Sequence, residues 1–178
     1  VVPGWSKVRS GAGREGFIHT VNLRERKEDD GYLSEKNTEG KGYFHAMRQR
    51  LAVEEETFRE RIKESALEYM GTQYRWGGKS SQGIDCSGLT FMSYLNSGLL
   101  IYRDASIREE FPVSPVKQED LKTGDLIFFP GHVALYLGNG KYIHSTGYVK
   151  TPYVTINSLR EEDEDYREDL AQKITGCG

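Results

Sequence analysis

The second half of the chain is divided into short β-prone segments, each bounded by Gly, Asn or Pro. They are DLIFFP (125–130), HVALYLG (132–138), KYIHST (141–146), YVTINSL (153–159) and LAQKITG (170–176). GNGK at 138–141 is typical of a tight hairpin turn, because Gly and Asn tolerate the positive φ angles that such turns require. The acidic run EEDEDYRED (161–169) predicts a solvated loop between the last two strands, with a cation site as the alternative. Strands in this order predict an antiparallel sheet.

The first half contains segments with helical periodicity. Residues 53–70 carry apolar side chains on one helical stripe, with glutamates at the start and a Gly directly after the end. Residues 86–97 predict a second helix that also stops at a Gly, and residues 104–111 predict a short third one. Helices followed by antiparallel strands predict an α+β domain rather than a βαβ repeat.

Composition excludes several classes of function. The 178 residues are enough for one domain of ordinary size or two small ones. Apolar residues make up 37% and charged residues 29%, which is typical of a globular chain. No apolar run approaches the ~20 residues of a membrane span. The net charge of −3 provides no basic surface for a nucleic acid. We therefore expect no nucleic-acid partner and no membrane span, and the oligomeric state stays open.

The N-terminal stretch differs from the rest of the chain. Residues 1–23 predict two short strands joined by a glycine turn, and residues 24–42 are polar and charged, as in a solvated loop or a domain margin. The chain begins VVPGWSKVRS, with neither a Met nor a signal segment, so we expect a fragment or a processed form. The cellular compartment cannot be read from these residues.

One of the two cysteines lies where a helix begins. Cys86 and Cys177 are too few and too far apart for a disulfide framework or a CxxC metal knuckle, so free thiols are expected. Cys86 follows Asp85 at the start of the second predicted helix. A helix N-terminus favours a thiolate, and its free N–H groups can hold an oxyanion. Inert packing is the alternative role of this thiol.

Two of the four histidines lie on neighbouring predicted strands, and a nucleophilic Cys needs a base. Pairing centred on the GNGK turn would place His144 near Leu135, about three residues along from His132, so that both histidines share one side of the hairpin. In the order Cys86, His132, His144, the second His could orient the first. Hydrogen-bonded core histidines are one alternative. A zinc site built from the same three residues is another, although it lacks a local ligand pair.

Two segments, YRWGGKSSQGIDCSGLTFMSYL and LKTGDLIFFPGHVALYLGNGKYIHS, resemble the NlpC/P60 family of cell-wall cysteine peptidases. The family motifs run Y-x-W-G-G…G-x-D-C-S-G, then G-D-L-x-F-F…H-V-x-x-Y-x-G, then a third polar residue, and all occur here in order. The resemblance covers residues 54–176. It implies a papain-like α+β domain at 51–178 and a triad of Cys86, His132 and His144. It also implies that no metal or organic cofactor is required.

The upstream stretch WSKVRSGAGREGFIHTVNL is similar to the closing half of a bacterial SH3 (SH3b) domain. There, a W-x-K-V-R strand precedes a G-x-x-G-[WF]-[IV] strand. Phe17 stands where a Trp is usual, and a generic β-hairpin is the alternative. The resemblance implies a partial all-β SH3b-like segment and linker at 1–50, ahead of the peptidase domain.

The NlpC/P60 resemblance also implies a reaction and substrate-binding residues. The reaction is hydrolysis of the amide between γ-D-glutamate and an L-diamino acid, either meso-diaminopimelate or L-lysine, in peptidoglycan stem peptides. Asp85 would pair with the α-ammonium of an N-terminal L-Ala. Tyr74 and Trp76 would wall the cleft. Ser87 and Ser106 would contact the α-carboxylate of the glutamate.

Each of these residues also has a purely structural interpretation: a helix cap for the Asp, core packing for the aromatics and first-turn positions for the serines. Two other functions are compatible with the motifs, namely a murein amidase or acyltransferase on a related fold, and a non-catalytic wall-binding protein. The intact Cys and His residues argue against the binding protein. Family members act on the cell wall or on recycled peptides in the cytoplasm, so localisation stays open.

Overall fold

The protein is described by a computed structural model over residues 3–9, 15–23, 54–109 and 111–178. The chain separates into two compact units, Val1–Ala46 and Met47–Gly178. The polar stretch at 24–42 lies outside the described residues, and the domain boundary at 50/51 stays a prediction. Within the described part, no helix is long and apolar enough to span a membrane.

The first unit contains β1 (Trp5–Arg9), β2 (Glu15–His19) and a 3₁₀ turn (Thr20–Asn22). The two strands pair antiparallel, which confirms the two predicted strands, and the glycine turn between them lies outside the described residues. The ring of Trp5 stacks on His19 with 3.8 Å between the ring centroids. Because a two-stranded hairpin occurs in many folds, the SH3b assignment stays a prediction.

The second unit contains the helices and the main sheet. Its elements are α1 (Glu55–Leu67), β3 (Lys79–Ser80), β4 (Gly83–Ile84), α2 (Cys86–Asn96), a 3₁₀ turn (Gln118–Asp120), β5 (Leu126–Phe129), β6 (His132–Gly138), β7 (Lys141–Ser145), β8 (Val154–Ser158), α3 (Glu168–Ala171) and β9 (Gly176–Cys177). β3 and β4 pair with each other, and the other five strands form an antiparallel sheet in the order β8-β7-β6-β5-β9. The α+β class, the first two predicted helices and the four strands between 125 and 159 are confirmed.

Both faces of the main sheet are covered by other parts of the unit. Side chains on both sides of β5 are therefore buried, which explains why its sequence is a continuous apolar run. Side chains from α1 and α2 pack on one face, against Leu126, Phe128, Val133, Leu135 and Ile143. The other face carries Ile127, Phe129, Ala134, Tyr142 and Cys177, which pack against C-terminal residues such as Leu170 and Ile174. Each fully buried large apolar side chain contributes about 1.5–3 kcal/mol, so this two-sided core fixes the position of the sheet against α2.

The β6–β7 hairpin turns at Asn139 and Gly140, whose φ angles of 53° and 77° are the positive values that GNGK predicts. Beyond the turn, however, a bulge before Gly138 adds one residue to β6. Leu135 consequently lies across from Ile143 rather than from His144, so the predicted pairing was wrong by one residue. Side chains alternate between faces along a strand, and the shift turns His144 to the face that carries His132. The bulge is thus what lets the two histidines meet.

The predicted helix at 104–111 was wrong, because the described residues of this segment form bends and a turn. Pro112 disfavours helical backbone at the residue before it. Ile107 and Val113 point inward and pack against the core. Packing rather than helical hydrogen bonding holds this segment.

The strand predicted at 170–176 was also largely wrong, because the residues up to Ala171 belong to α3 and only Gly176–Cys177 pair with β5. The helix begins with Glu168 and Asp169, and acidic side chains stabilise a helix N-terminus.

The acidic run at 161–169 is bound to the edge of the sheet rather than fully solvated. Asp163 and Asp165 pair with the Lys141 ammonium at 2.7 and 2.5 Å. The backbone N–H of Ser158 donates to the carbonyl oxygen of Asp165. Residues 161–167 therefore form a loop, as predicted, but one that is held against β7 and β8, and the last two residues of the run begin α3.

Candidate active site

Cys86 is the first residue of α2, and Asp85 caps this helix. The backbone of Asp85 is extended, and its Oδ1 accepts a 2.6 Å hydrogen bond from the N–H of Gly88, as an N-cap does. Its Oδ2 accepts from the N–H of Gly77, also at 2.6 Å. The helix-cap interpretation of Asp85 is confirmed, and the carboxylate ties the preceding loop to the start of α2.

The glycines around Cys86 allow two backbone segments to touch. A Cβ atom on Gly88 would lie 2.2 Å from the carbonyl oxygen of Gly78, and one on Gly78 would lie 2.4 Å from that of Gly83. Neither position can hold a side chain without moving the backbone. The GG…G-x-D-C-S-G pattern therefore reflects close packing of the loop against the first turn of α2.

Arg103 fastens this arrangement from the other side, and sequence reasoning missed it. One guanidinium nitrogen lies 2.9 Å from Asp85 Oδ1 and 3.2 Å from the carbonyl oxygen of Gly78. The other donates to Ser87 Oγ at 2.5 Å. The Arg lies 18 and 16 positions after its two side-chain partners (103 − 85 and 103 − 87), so no local spacing pattern predicts the contact.

The Cys86 thiol is protonated at neutral pH. Burial raises its pKa, the backbone N–H of Val133 lowers it, and the Asp85 charge raises it, with a net upward shift. The N–H groups of Ser87 and of Cys86 itself also lower the pKa. These donors at the helix N-terminus only partly offset burial, so a thiolate at this site requires a base.

The two candidate histidines are in direct contact. His132 Nε2 lies 2.8 Å from His144 Nδ1, and His144 Nε2 lies 2.9 Å from Asn157 Oδ1. Burial lowers the pKa of His132 to about 3, helped by the nearby His144 and Arg167. Burial also lowers the pKa of His144 to about 4, against the hydrogen bond that His144 makes to Asn157 Oδ1, which raises it. Both imidazoles are therefore neutral at neutral pH, the form in which a histidine can accept a proton.

The thiol lies beside the residue that follows His132, because the Val133 N–H acts on it directly. Among the described residues, no hydrogen bond joins the Cys86 thiol to either histidine. Catalytic hydrogen bonds are often long before substrate binds and tighten in the complex. The described part of the chain also contains no group of three or more His, Cys, Asp or Glu residues that could hold a metal ion.

Cys86 opens into a cleft of about 460 Å³ that is also lined by four of the predicted substrate-binding residues. These are Trp76, Asp85, Ser87 and Ser106. Trp76 is 85% exposed, so it walls an open cleft and is not a core aromatic. Tyr74 lies outside this lining but close by, since burial and then the charges of Cys86 and Asp85 raise its pKa.

Comparison with known proteins identifies the family. Residues 71–167 match the model of the NlpC/P60 family. The chain belongs to this family. The predicted family and its papain-like fold are confirmed, and the family includes peptidase-type hydrolases of peptidoglycan. The bond cleaved, the triad and the substrate-binding residues stay predictions.

The chain is similar to dipeptidyl-peptidase 6 of Lysinibacillus sphaericus, with 51% identity over 125 residues that cover 70% of this chain and 45% of the relative. It is 41% identical over 85 residues to a γ-D-glutamyl-L-lysine dipeptidyl-peptidase of Bacillus cereus, covering 43% of this chain and 25% of the relative. A solved NlpC/P60 family structure from Bacillus cereus matches with a TM-score of 0.55 at 31% identity, covering 67% of this chain and 39% of that one. The chain therefore spans less than half the length of these relatives.

Proposed function

We propose that the chain is a cysteine peptidase that hydrolyses the γ-D-glutamyl-L-diamino acid bond of peptidoglycan stem peptides. The observation that carries this proposal is a cysteine at the N-terminus of α2 that opens to a cleft and is contacted by the backbone N–H of Val133, the residue that follows the first of two neutral, hydrogen-bonded histidines. A protonated thiol next to a neutral imidazole is the starting arrangement of a general-base step.

In the first half of the reaction, His132 takes the proton of the Cys86 thiol as sulfur attacks the γ-carbonyl carbon of D-glutamate. The N–H groups of Cys86 and Ser87, which already act on the sulfur, lie where they can stabilise the charge that develops on the carbonyl oxygen. The imidazolium of His132 then returns the proton to the departing α-amine of the diamino acid. This step leaves a γ-glutamyl thioester on Cys86.

In the second half, His132 takes a proton from water as the water oxygen attacks the thioester carbonyl. Collapse of that intermediate returns the proton to sulfur and releases the γ-D-glutamate carboxylate. His144 orients the His132 ring through their 2.8 Å hydrogen bond. No redox partner is needed, and one water is consumed per bond broken.

Substrate binding is proposed along the cleft on the Trp76 side of Cys86. Trp76 and Tyr74 form walls for the peptide, and Ser87 and Ser106 contact the glutamate α-carboxylate. Arg103 lines the same cleft and supplies a positive charge for that carboxylate. Asp85 would bind the α-ammonium of L-Ala in addition to the three donors that it already accepts.

The names of the two relatives favour this bond over the alternatives, since one is a dipeptidyl-peptidase and the other acts on γ-D-glutamyl-L-lysine. A murein amidase would instead release the whole stem peptide with a free N-terminal L-Ala, and a wall-binding protein would release nothing. The candidates therefore differ in the product formed from one set of substrates.

The test is a substrate panel assayed by mass spectrometry of the products. We expect L-Ala-γ-D-Glu-L-Lys or its meso-diaminopimelate counterpart to give L-Ala-γ-D-Glu and the free diamino acid. If Asp85 binds the α-ammonium, N-acetylation of L-Ala will raise KM more than it lowers kcat. Cleavage of muramyl-peptide amides alone, or of no substrate at all, would overturn the proposal.

A further inference from the structure

The hydrogen-bonded chain that begins at His132 does not end at His144. Asn157, on β8, lies across from Tyr142 and diagonal to His144, and its Oδ1 is 2.9 Å from His144 Nε2. Its Nδ2 donates to the backbone carbonyl oxygen of Asp165 at 2.8 Å. Four groups are thus joined in one line, from the imidazole of His132 to a peptide carbonyl.

The chemistry of this line determines where each proton sits. An amide oxygen accepts and cannot donate, so His144 must donate from Nε2. A neutral imidazole carries one proton, so Nδ1 of His144 is bare and His132 donates to it from Nε2. The bare nitrogen of His132 is then Nδ1, which is the one ring nitrogen of that residue able to accept a proton from a thiol.

The orientation of the Asn157 amide is itself fixed. A carbonyl oxygen cannot face another carbonyl oxygen without repulsion, so the Asp165 carbonyl holds the NH₂ side of the amide toward itself. The Asp165 residue is held in turn by its carboxylate contact with Lys141 and by the Ser158 N–H. The acidic run at 161–169 therefore holds the peptide carbonyl at which this hydrogen-bonded chain ends.

We propose that Asn157 is a positioning residue that sets the tautomers of His144 and His132, and that the Asp165 carbonyl sets the orientation of Asn157. The proposal rests on the proposed role of His132 as the base. Asn157 touches neither substrate nor the reacting atoms, and acts only through His144.

The hydrogen-bond acceptor at position 157 must also be uncharged. A carboxylate there would favour a doubly protonated His144, which would donate from Nδ1 and force the neutral His132 to carry its proton on Nδ1. His132 could then no longer accept the thiol proton. Two other charged groups act on the histidine pair. Arg167 disfavours protonation of both imidazoles, and Asp169 favours protonation of His144.

The test compares the full chain with Asn157→Leu and Asn157→Asp, using Ile156→Val as the matched control. Ile156 is on the same strand but packs in the core on the other face, so its variant reproduces a loss of packing without touching the histidines. Tautomers are read from ¹⁵N NMR of histidine-labelled protein, assigned with His→Ala variants. Activity is read as kcat/KM on L-Ala-γ-D-Glu-L-Lys across pH.

In the wild-type chain we expect a protonated Nε2 and a bare Nδ1 on both histidines. Asn157→Leu should give a second tautomer of His144 and a kcat/KM at least about 10-fold lower, within the roughly 10⁴-fold that a wrong tautomer costs in a serine-protease triad. Asn157→Asp should move the acid limb of the pH profile to higher pH. Ile156→Val should leave both tautomers and the limb unchanged.

The inference is overturned if wild-type His144 carries its proton on Nδ1, or if Asn157→Leu keeps the wild-type tautomers and the activity of the control. The NMR measurement does not depend on catalysis. If Cys86→Ala stays active while the wild-type tautomers are as inferred, the proposed function is contradicted but the inferred positioning of the histidines still holds.

Discussion

Replacing Asp85 with Ala removes a carboxylate that joins three parts of the site. Its two oxygens accept from the N–H of Gly77 and of Gly88, each at 2.6 Å, and pair with the Arg103 guanidinium at 2.9 Å. Asp85 is buried, so water cannot replace these contacts without opening the loop. The variant therefore reports how strongly this one side chain holds the loop against α2.

The expected cost can be worked out contact by contact. Losing an N-cap costs about 1 kcal/mol. Leaving the Gly77 N–H without a partner costs about 1–3 kcal/mol. Arg103 is partly exposed and keeps its bonds to Ser87 and Gly78, so its unpairing costs less than the ~3–5 kcal/mol of a fully buried pair. Because one carboxylate makes all three contacts, the values do not simply add, and we expect a loss of about 3–5 kcal/mol in the free energy of unfolding.

Urea denaturation followed by circular dichroism measures this loss. Asp85→Asn keeps an acceptor for the Gly88 N–H but loses the charge, so its loss should fall between those of Asp85→Ala and wild type. Asp104→Ala is the matched control, because Asp104 lines the same cleft and its carboxylate makes no hydrogen bond or ion pair with the other described residues. It should change the free energy of unfolding by less than about 0.5 kcal/mol. A loss below about 1 kcal/mol for Asp85→Ala would refute the assignment of Asp85 as the anchor of this loop.

Three further outcomes are expected. Gly88→Ala should lower activity more than about 10-fold and the urea midpoint as well, since its Cβ would lie 2.2 Å from a carbonyl oxygen; an active, stable variant would contradict that packing. Burial lowers the pKa values of His132 and His144, so below the unfolded-state histidine pKa of about 6.5 the unfolded chain binds more protons than the folded chain. The free energy of unfolding should therefore fall by on the order of 2 kcal/mol per histidine between about pH 7 and pH 5. A urea midpoint that stays flat over that range would contradict the burial of the two histidines. Iodoacetamide should label Cys86, which opens to the cleft, before Cys177, which is buried in the sheet core, as peptide mapping would show; the reverse order would favour inert packing at Cys86.

Local signals in the sequence predicted much of the fold. Helical periodicity with glutamates at the start and a Gly at the end located α1, and GNGK located the β6–β7 turn. Segments rich in β-prone residues and bounded by Gly, Asn or Pro located β5 to β8. The helix start at Cys86 followed from an Asp cap and the apolar stripe after it. In each case the determining contacts lie within a few residues of each other along the chain.

The features that sequence reasoning missed depend on contacts distant in sequence. The bulge in β6 ends at Gly138, a glycine with a φ of 95°, and the GNGK pattern predicts the turn without showing that an extra residue precedes it. Arg103 meets Asp85 only because the segment after α2 folds back over the helix N-terminus. Asn157 meets His144 because β8 pairs with β7 in a register that sets the two residues diagonally across from each other. Such contacts follow from the assembled sheet and not from spacing.

The role of Cys86 as nucleophile is the central claim, and the release of the diamino acid from L-Ala-γ-D-Glu-L-Lys tests it most directly. The rate is compared among wild type, Cys86→Ala and Cys177→Ala, each shown to be folded by circular dichroism. We predict stoichiometric release of L-Ala-γ-D-Glu and lysine by wild type and Cys177→Ala, and a rate at least about 10³-fold lower for Cys86→Ala. Release by Cys86→Ala at a rate within about 10-fold of wild type would contradict the claim.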